Sequence, residues 1–220
     1  ISDKGLRSVA VCLLNSYANN VNEQCVKKVL ERELPGVHIT LSSDIAPQIR
    51  EYPRTSTTCI NAYSTPFSLP YLTGLTDQVR AEGCDLEPLI MLSNGGVVGA
   101  KTAALQPVRM IESGPAAGAL AAGLLSKTYG ISDLISFDMG GTTAKACLIQ
   151  DGEPLITGEF EVDRRYRFKP GSGMPITVPS VDMIEIGAGG GSIARVDDLG
   201  LLKVGPDSAG SSPGPACYGL

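Results

Sequence analysis

Short unbroken apolar runs alternate along this chain with stretches whose apolar positions recur at helical spacing. LRSVAVCLL (6–14) is a Val- and Leu-rich run of the kind a strand buried on both faces shows. In EQCVKKVLEREL, Val26, Val29, Leu30 and Leu34 fall on one helical face. Asn22 stands where an N-cap would, and Pro35-Gly36 supplies a stop. VHITLSS reads as a second strand. TSTTCINAYS and SLPYLTGLTDQVRAEG read as helices broken near Pro66 and Pro70, because proline removes a helix donor and crowds the preceding turn. EPLIMLS is a third strand, ending in the turn NGGVVGA. The order strand–helix–strand–helix–strand predicts an α/β architecture with a mixed or mostly parallel sheet and flanking helices.

Downstream, GPAAGALAAGLLSKTYG predicts a helix over about 115–129, with Pro115 in its first turn and Gly130 at its end. Its small residues, among them Gly114, Gly118 and Gly123 in or beside it, fit either tight core packing or close approach of a moving partner. ISFDMGGTTAKACLIQDGEP predicts two strands joined by a glycine-rich turn, then Asp151-Gly152 as a two-residue hairpin. RRYRFKPGSGMPITVP reads as an exposed excursion or lid. VDMIEIGAGGGSIARVD is apolar alternation interrupted by glycines, and GPDSAGSSPGPACYG reads as an irregular loop.

Composition narrows the function classes. The 220 residues are 43% hydrophobic and carry a formal net charge of -5. No basic run is present that would track a nucleic-acid backbone. No apolar stretch approaches the roughly 20 residues of a membrane helix. The polar start Ile1-Ser2-Asp3-Lys4 is not a signal peptide. Cys12, Cys25, Cys59, Cys84, Cys147 and Cys217 are scattered, and His38 is the single histidine. That excludes a zinc site of the usual ligands and a Ser-His or Cys-His pair, and predicts reduced core thiols of a cytoplasmic protein. Both ends read as cut from a longer protein.

The stretch after Phe137 carries the chemistry. Asp138 ends an apolar strand, where an uncompensated carboxylate is costly and a magnesium ion with its water shell would compensate it. Gly140 and Gly141 can turn bare N–H groups toward phosphate oxygens, and Thr142 and Thr143 add hydroxyls. A capped glycine-rich hairpin is the other reading of the same spacing. The Walker pattern is absent, and GAGGGS (187–192) has Ser192 where a dinucleotide fingerprint needs glycine.

The pair ESGPAAGALAAG and SFDMGGTTAKACL resembles the inter-lobe helix and phosphate hairpin of actin-like ATPases, which have a ribonuclease H-like fold. SNGGV, ESGPAAGA, FDMGGTTAKA, IEIGAGGGSIARVD and GPDSAGSSPGPACYG, in that order, resemble the hydantoinase A/oxoprolinase family, above all its N-methylhydantoinase A-type members. The resemblance implies an enzyme that opens a cyclic amide, such as a hydantoin or 5-oxoproline, by ATP-dependent phosphorylation. ATP and Mg2+ would be its cofactors, and a hydantoinase B-type subunit or domain its partner. It implies that residues 1–130 end the first lobe and 131–220 begin the second. An earlier phosphate loop that family members carry is missing here.

On this resemblance Asp138 and Thr143 are the catalytic candidates, with Asp138 also the metal ligand. Gly140, Gly141, Thr142, Thr143, Lys145, Gly189 and Gly190 would hold nucleotide. Ser93, Asn94 and Gly95, at a strand's C-terminal end, would touch substrate or form a plain turn. Many oxoprolinase-type members continue the hairpin with Ser/Thr-Asp where this chain has Ala144-Lys145, so Lys145 contacts a phosphate or points outward. Asp182 and Glu185 read as metal or substrate aids or as solvated charges, and Cys217 as a packed residue. An ATP-dependent ketone carboxylase subunit, a non-catalytic nucleotide-binding module and an inactive fragment are the alternatives.

Overall fold

The computed structural model describes residues 4–166, 169–210 and 212–219. The first elements are β1 (Ser8–Val11), α1 (Val21–Glu33), β2 (His38–Leu41), α2 (Ser42–Ile45) and the 31-residue α3 (Glu51–Ala81). Next come β3 (Leu89–Met91), β4 (Val97–Gly99), α4 (Ala100–Leu105), α5 (Ser113–Tyr129), β5 (Leu134–Met139) and β6 (Ala144–Gln150). Short strands follow: β7 (Glu153–Pro154), β8 (Ile156–Thr157), β9 (Phe160–Val162), β10 (Met174–Ile176) and β11 (Ser180–Val181). The last are β12 (Ile184–Ile186), β13 (Ser192–Val196) and β14 (Leu202–Ser208).

The chain divides into two units. One holds residues up to Ser113 together with Thr157–Ser180, and the other holds Gly114–Ile156 and Val181 onward. Nearly all of α5 therefore groups with the second unit, and 157–180 with the first.

In the first unit β1 and β2 pair in parallel, Ser8 opposite His38. α3 packs against both strands and against α4 and β10. Ile45, Val108, Ile176 and Val178 form one buried cluster, and Leu72, Ala100, Ala103 and Ala104 another. Two expectations are corrected here. α3 runs unbroken through Pro66 and Pro70. Packing on several neighbours, and the buried Asn61 amide bonded to Leu105 O (3.2 Å) and Val108 N (3.3 Å), keep it helical where local propensity favours a break. The presumed lid is a β9–β10 hairpin whose far end is core, since Ile176 is 0% and Val178 1% exposed. Residues 167 and 168 of that stretch lie outside the described residues.

In the second unit the sheet order is β12-β6-β5, with β7 beside β6, all antiparallel. Ala116 and Ala119 of α5 bury against Cys147, Ile149 and Val181. Gly123 brings α5 close to the β6–β7 turn: a Cβ there would lie 2.8 Å from Gly152 O. Asp151 (φ 50) and Gly152 (φ 76) make that turn as the sequence predicts. The α/β class holds. The expected mostly parallel sheet does not: β1–β2 is a parallel pair, but β3–β4, β9–β10 and β13–β14 are antiparallel like the β5–β6 sheet. GPDS, expected in a loop, ends β14; Ser211 and Leu220 of the adjoining stretch lie outside the described residues.

Candidate functional site

β5 and β6 carry the Asp-x-Gly-Gly-Thr-Thr turn at their shared end. Asp138 pairs directly with Lys145, and Lys145 in turn with Glu185 on β12. Residues opposite one another across antiparallel strands share a face, so an acid–base–acid row crosses the sheet. It lies on the face of Leu134, Cys147 and Ile149, which pack in the core under α5. The Lys145 side chain is 13% exposed, with its Nζ 3.9 Å from Glu185 Oε1. Burial pushes the Lys145 ammonium below its ordinary pKa, and the Glu185 charge offsets part of that. Asp138 is exposed, contrary to the expectation of a buried carboxylate. β5 is the sheet's edge strand, and its Ile135, Phe137 and Met139 are open to solvent as well.

The turn is braced from behind. Gly140 N–H donates to Thr143 O (3.0 Å), closing it. Gly190 N–H donates to Gly140 O (2.9 Å) and Gly191 N–H to Gly141 O (2.8 Å), while Ser208 Oγ donates to Gly141 O (3.3 Å). Gly189 N–H goes to Ser192 Oγ (2.8 Å). The N–H groups of Gly189 and Gly190, expected to face a ligand, are therefore engaged by the protein itself. The reason for glycine is steric: a Cβ on Gly189 would lie 2.6 Å from Gly140 O, and one on Gly191 2.9 Å from Gly210 O. The opposite side of the turn is unengaged. Among the described residues, the N–H groups of Gly141, Thr142 and Thr143 and both threonine hydroxyls have no hydrogen-bond partner.

Ser93, Asn94 and Gly95 belong to the first unit and form the β3–β4 turn. The Ser93 hydroxyl is fully buried against Arg109 O (2.6 Å) and Ile111 O (2.5 Å), so it is an internal tether and not a substrate contact. Asn94 Oδ1 accepts from Gly96 N–H (3.0 Å), and Gly95 takes φ 82, as a plain turn requires. Asp182 and Glu185 are exposed. Cys147 is buried, but Cys25, Cys59, Cys84 and Cys217 are exposed, so most of the thiols are not core residues.

Sequence reasoning missed Glu23. It is 0% exposed and accepts from Leu13 N (2.9 Å), Ser42 Oγ (2.7 Å) and Ser43 N (2.9 Å). Burial alone would raise its pKa, but these donors together bring it below the ordinary value of 4.5. α1 begins at Val21, not after Asn22. Glu23 thus falls at the third helical position, where a carboxylate commonly reaches back to backbone donors; that spacing was the available signal.

Among the described residues no group of three or more His, Cys, Asp or Glu side chains could hold a metal, and no helix is long and apolar enough to cross a membrane.

An edge-strand turn with free donors, braced by a second glycine loop, belongs to an α/β protein that can receive an anionic ligand. Residues 54–220 match the hydantoinase/oxoprolinase family, and the chain belongs to it. Caprolactamase subunit alpha of Pseudomonas jessenii is 36% identical over 99% of this chain and 30% of its own length. 5-Oxoprolinase 1 of Arabidopsis thaliana is 34% identical over 98% of this chain and 16% of its own length. The nucleotide-free structure of acetone carboxylase, from work on ATP-dependent acetone carboxylation, aligns with a TM-score of 0.77 at 28% identity, over 95% of this chain and 29% of that one. The chain thus spans about a third or less of the relatives it matches.

Proposed function

We propose that this chain is part of an ATP-dependent enzyme that opens a cyclic amide, and that the phosphates of ATP lie on the β5–β6 turn. The observation that carries this is the set of N–H groups at Gly141, Thr142 and Thr143 that, with the two threonine hydroxyls, have no partner among the described residues. Successive free main-chain donors form a concave site for phosphate oxygens. Gly140, Gly189 and Gly190 hold the turn in shape. Lys145, kept from solvent beside it, balances phosphate charge. Asp138, exposed at the strand end, fits the single carboxylate that Mg2+ takes beside phosphates and water, and the ion would neutralise the phosphate charge. Thr143 orients the transferred group.

In the reaction the amide oxygen forms a bond to the γ-phosphorus as the bond to ADP breaks. Water then adds to the activated carbon, the ring C–N bond breaks and phosphate leaves. The protein's part is positioning and charge neutralisation. The likeness to a named caprolactamase and a named 5-oxoprolinase supports an amide substrate. The relatives named as subunits support a B-type partner. The two units would belong to the lobes of an actin-like ATPase in the cytoplasm. The likeness to acetone carboxylase supports a second reading, ketone carboxylation.

The test is phosphate release from Mg-ATP by the full-length protein with its partner, with hydantoins, 5-oxoproline, or ketone plus bicarbonate. Stimulation by a cyclic amide that Asp138→Ala abolishes is expected. Stimulation only by ketone and bicarbonate selects the carboxylase, and intact ATP binding with no stimulation by anything defeats both.

A further inference from the structure

Cys12 follows directly on β1, and Cys59 lies on α3. Two side chains of α3 fix the chain that leaves β1. The Thr55 hydroxyl donates to Cys12 Sγ (3.0 Å), and the Arg54 guanidinium donates to Leu13 O (2.7 Å). Leu13 N–H is held in turn by Glu23 (2.9 Å), and β1 itself packs on α3. Cys59 comes four residues after Thr55, one turn on along the same face of the helix. Helical side chains lean back toward the N-terminus, so the Cys59 thiol is carried toward the turn of Thr55, where Cys12 Sγ sits. The electrostatics agree with two sulfurs in one neighbourhood. The protein packed around the Cys59 thiol pushes its pKa up from 9.0, and Cys12 adds to that rise. Cys59 is exposed, whereas Cys12 is half-buried.

We propose that Cys12 and Cys59 are a modification site, a thiol pair that hydrogen peroxide converts to a disulfide joining the end of β1 to α3. Cys59, open to solvent, meets the oxidant first. Its thiolate bonds to one peroxide oxygen as the O–O bond breaks, which gives a sulfenic acid and, after protonation, one water. Cys12 Sγ then bonds to Cys59 Sγ, the S–O bond breaks, and a second water leaves with the last thiol proton. The two thiols give up two electrons, and the peroxide is reduced to two waters. The raised pKa of Cys59 makes the first step slow at neutral pH and faster as the pH rises. In a reducing compartment the pair rests as thiols until such an oxidant arrives. The site lies wholly in the first unit, so it stands or falls separately from the nucleotide turn.

The test is treatment of the full-length protein with hydrogen peroxide, followed by blocking of the remaining thiols and peptide mass mapping. A Glu-specific protease parts Cys12 from Cys25 at Glu23. A Cys12–Cys59 peptide, two hydrogens lighter than its parts and released by dithiothreitol, is expected to accumulate faster at higher pH. The exposed Cys25, Cys84 and Cys217 serve as controls and are expected to stay outside the link. Because the disulfide closes a long loop between segments already in place, it is expected to raise the melting temperature by about 5 °C, reversibly. Cys59→Ser is expected to abolish both the link and that rise. Cys12→Ser is expected to stop the reaction at a Cys59 sulfenic acid that dimedone traps. Absence of the linked peptide, either sulfur joined instead to another cysteine, or a link that does not raise the melting temperature would each overturn the proposal.

Discussion

Glu23 shows how much one buried carboxylate can organise. It ties α1 to the loop before it and to the start of α2 through three donors on Leu13, Ser42 and Ser43. Hydrogen bonds to a charged group contribute about 1.5–3 kcal/mol each, and orphaning buried donors adds a penalty. Glu23→Ala is expected to destabilise the first unit by about 3 kcal/mol, read by urea unfolding. The pH dependence has a definite sign. The folded carboxyl titrates below 4.5, so its stabilisation is fully present above that value and is lost as the pH falls through the folded pKa. Wild type should therefore lose stability in acid more steeply than Glu23→Gln, the two curves converging as the pH drops below 4.5. Parallel curves from pH 7 to 3 would refute this.

At the scale of elements, glycine loop and turn act together, and sterics separate two adjacent residues. A Cβ on Gly189 meets Gly140 O at 2.6 Å and Gly141 C at 2.8 Å, both backbone atoms that cannot swing aside. One on Gly190 meets nothing nearer than 3.8 Å. Gly189→Ala is expected to displace the turn, costing about 1–3 kcal/mol and at least tenfold in nucleotide affinity in the full-length protein. Gly190→Ala should leave both nearly unchanged, and equal effects would mean that the loop does not brace the turn. Pro70, exposed within α3, gives an opposite case. Pro70→Ala restores a donor for Pro66 O and is expected to raise stability by about 1–3 kcal/mol, read as a higher melting temperature. The sequence made the β5–β6 turn and the Asp151-Gly152 hairpin legible, because each depends on residues next to one another. It did not reveal that the Gly190 donor is spent, since Gly140 lies some fifty residues away. It also misread α3, where tertiary packing overrides a local break.

At the scale of the whole molecule, alternating strands and helices made the α/β class legible, but not which strands pair, because pairing depends on contacts far apart in the chain. The clearest case is 164–179, which reads as an excursion and instead falls within the segment 157–180 that belongs to the first unit. Ile176 and Val178 complete a cluster with Ile45 and Val108. Thr177 N–H donates to Thr57 Oγ1 (2.9 Å), whose own hydrogen goes to Pro53 O (2.8 Å). Fully burying one aliphatic side chain contributes about 1.5–3 kcal/mol. Losing two removes about 3–6 kcal/mol from a domain whose whole stability is about 5–15 kcal/mol. A chain ending at residue 113 should therefore lack a cooperative unfolding transition and bind a hydrophobic dye. Joining 157–180 to it through a flexible Gly/Ser linker should restore the transition and suppress dye binding. Should the shorter chain unfold cooperatively by itself, the first unit would be complete without the return segment, and the β9–β10 hairpin would be free to serve as the lid its basic, glycine-rich sequence resembles.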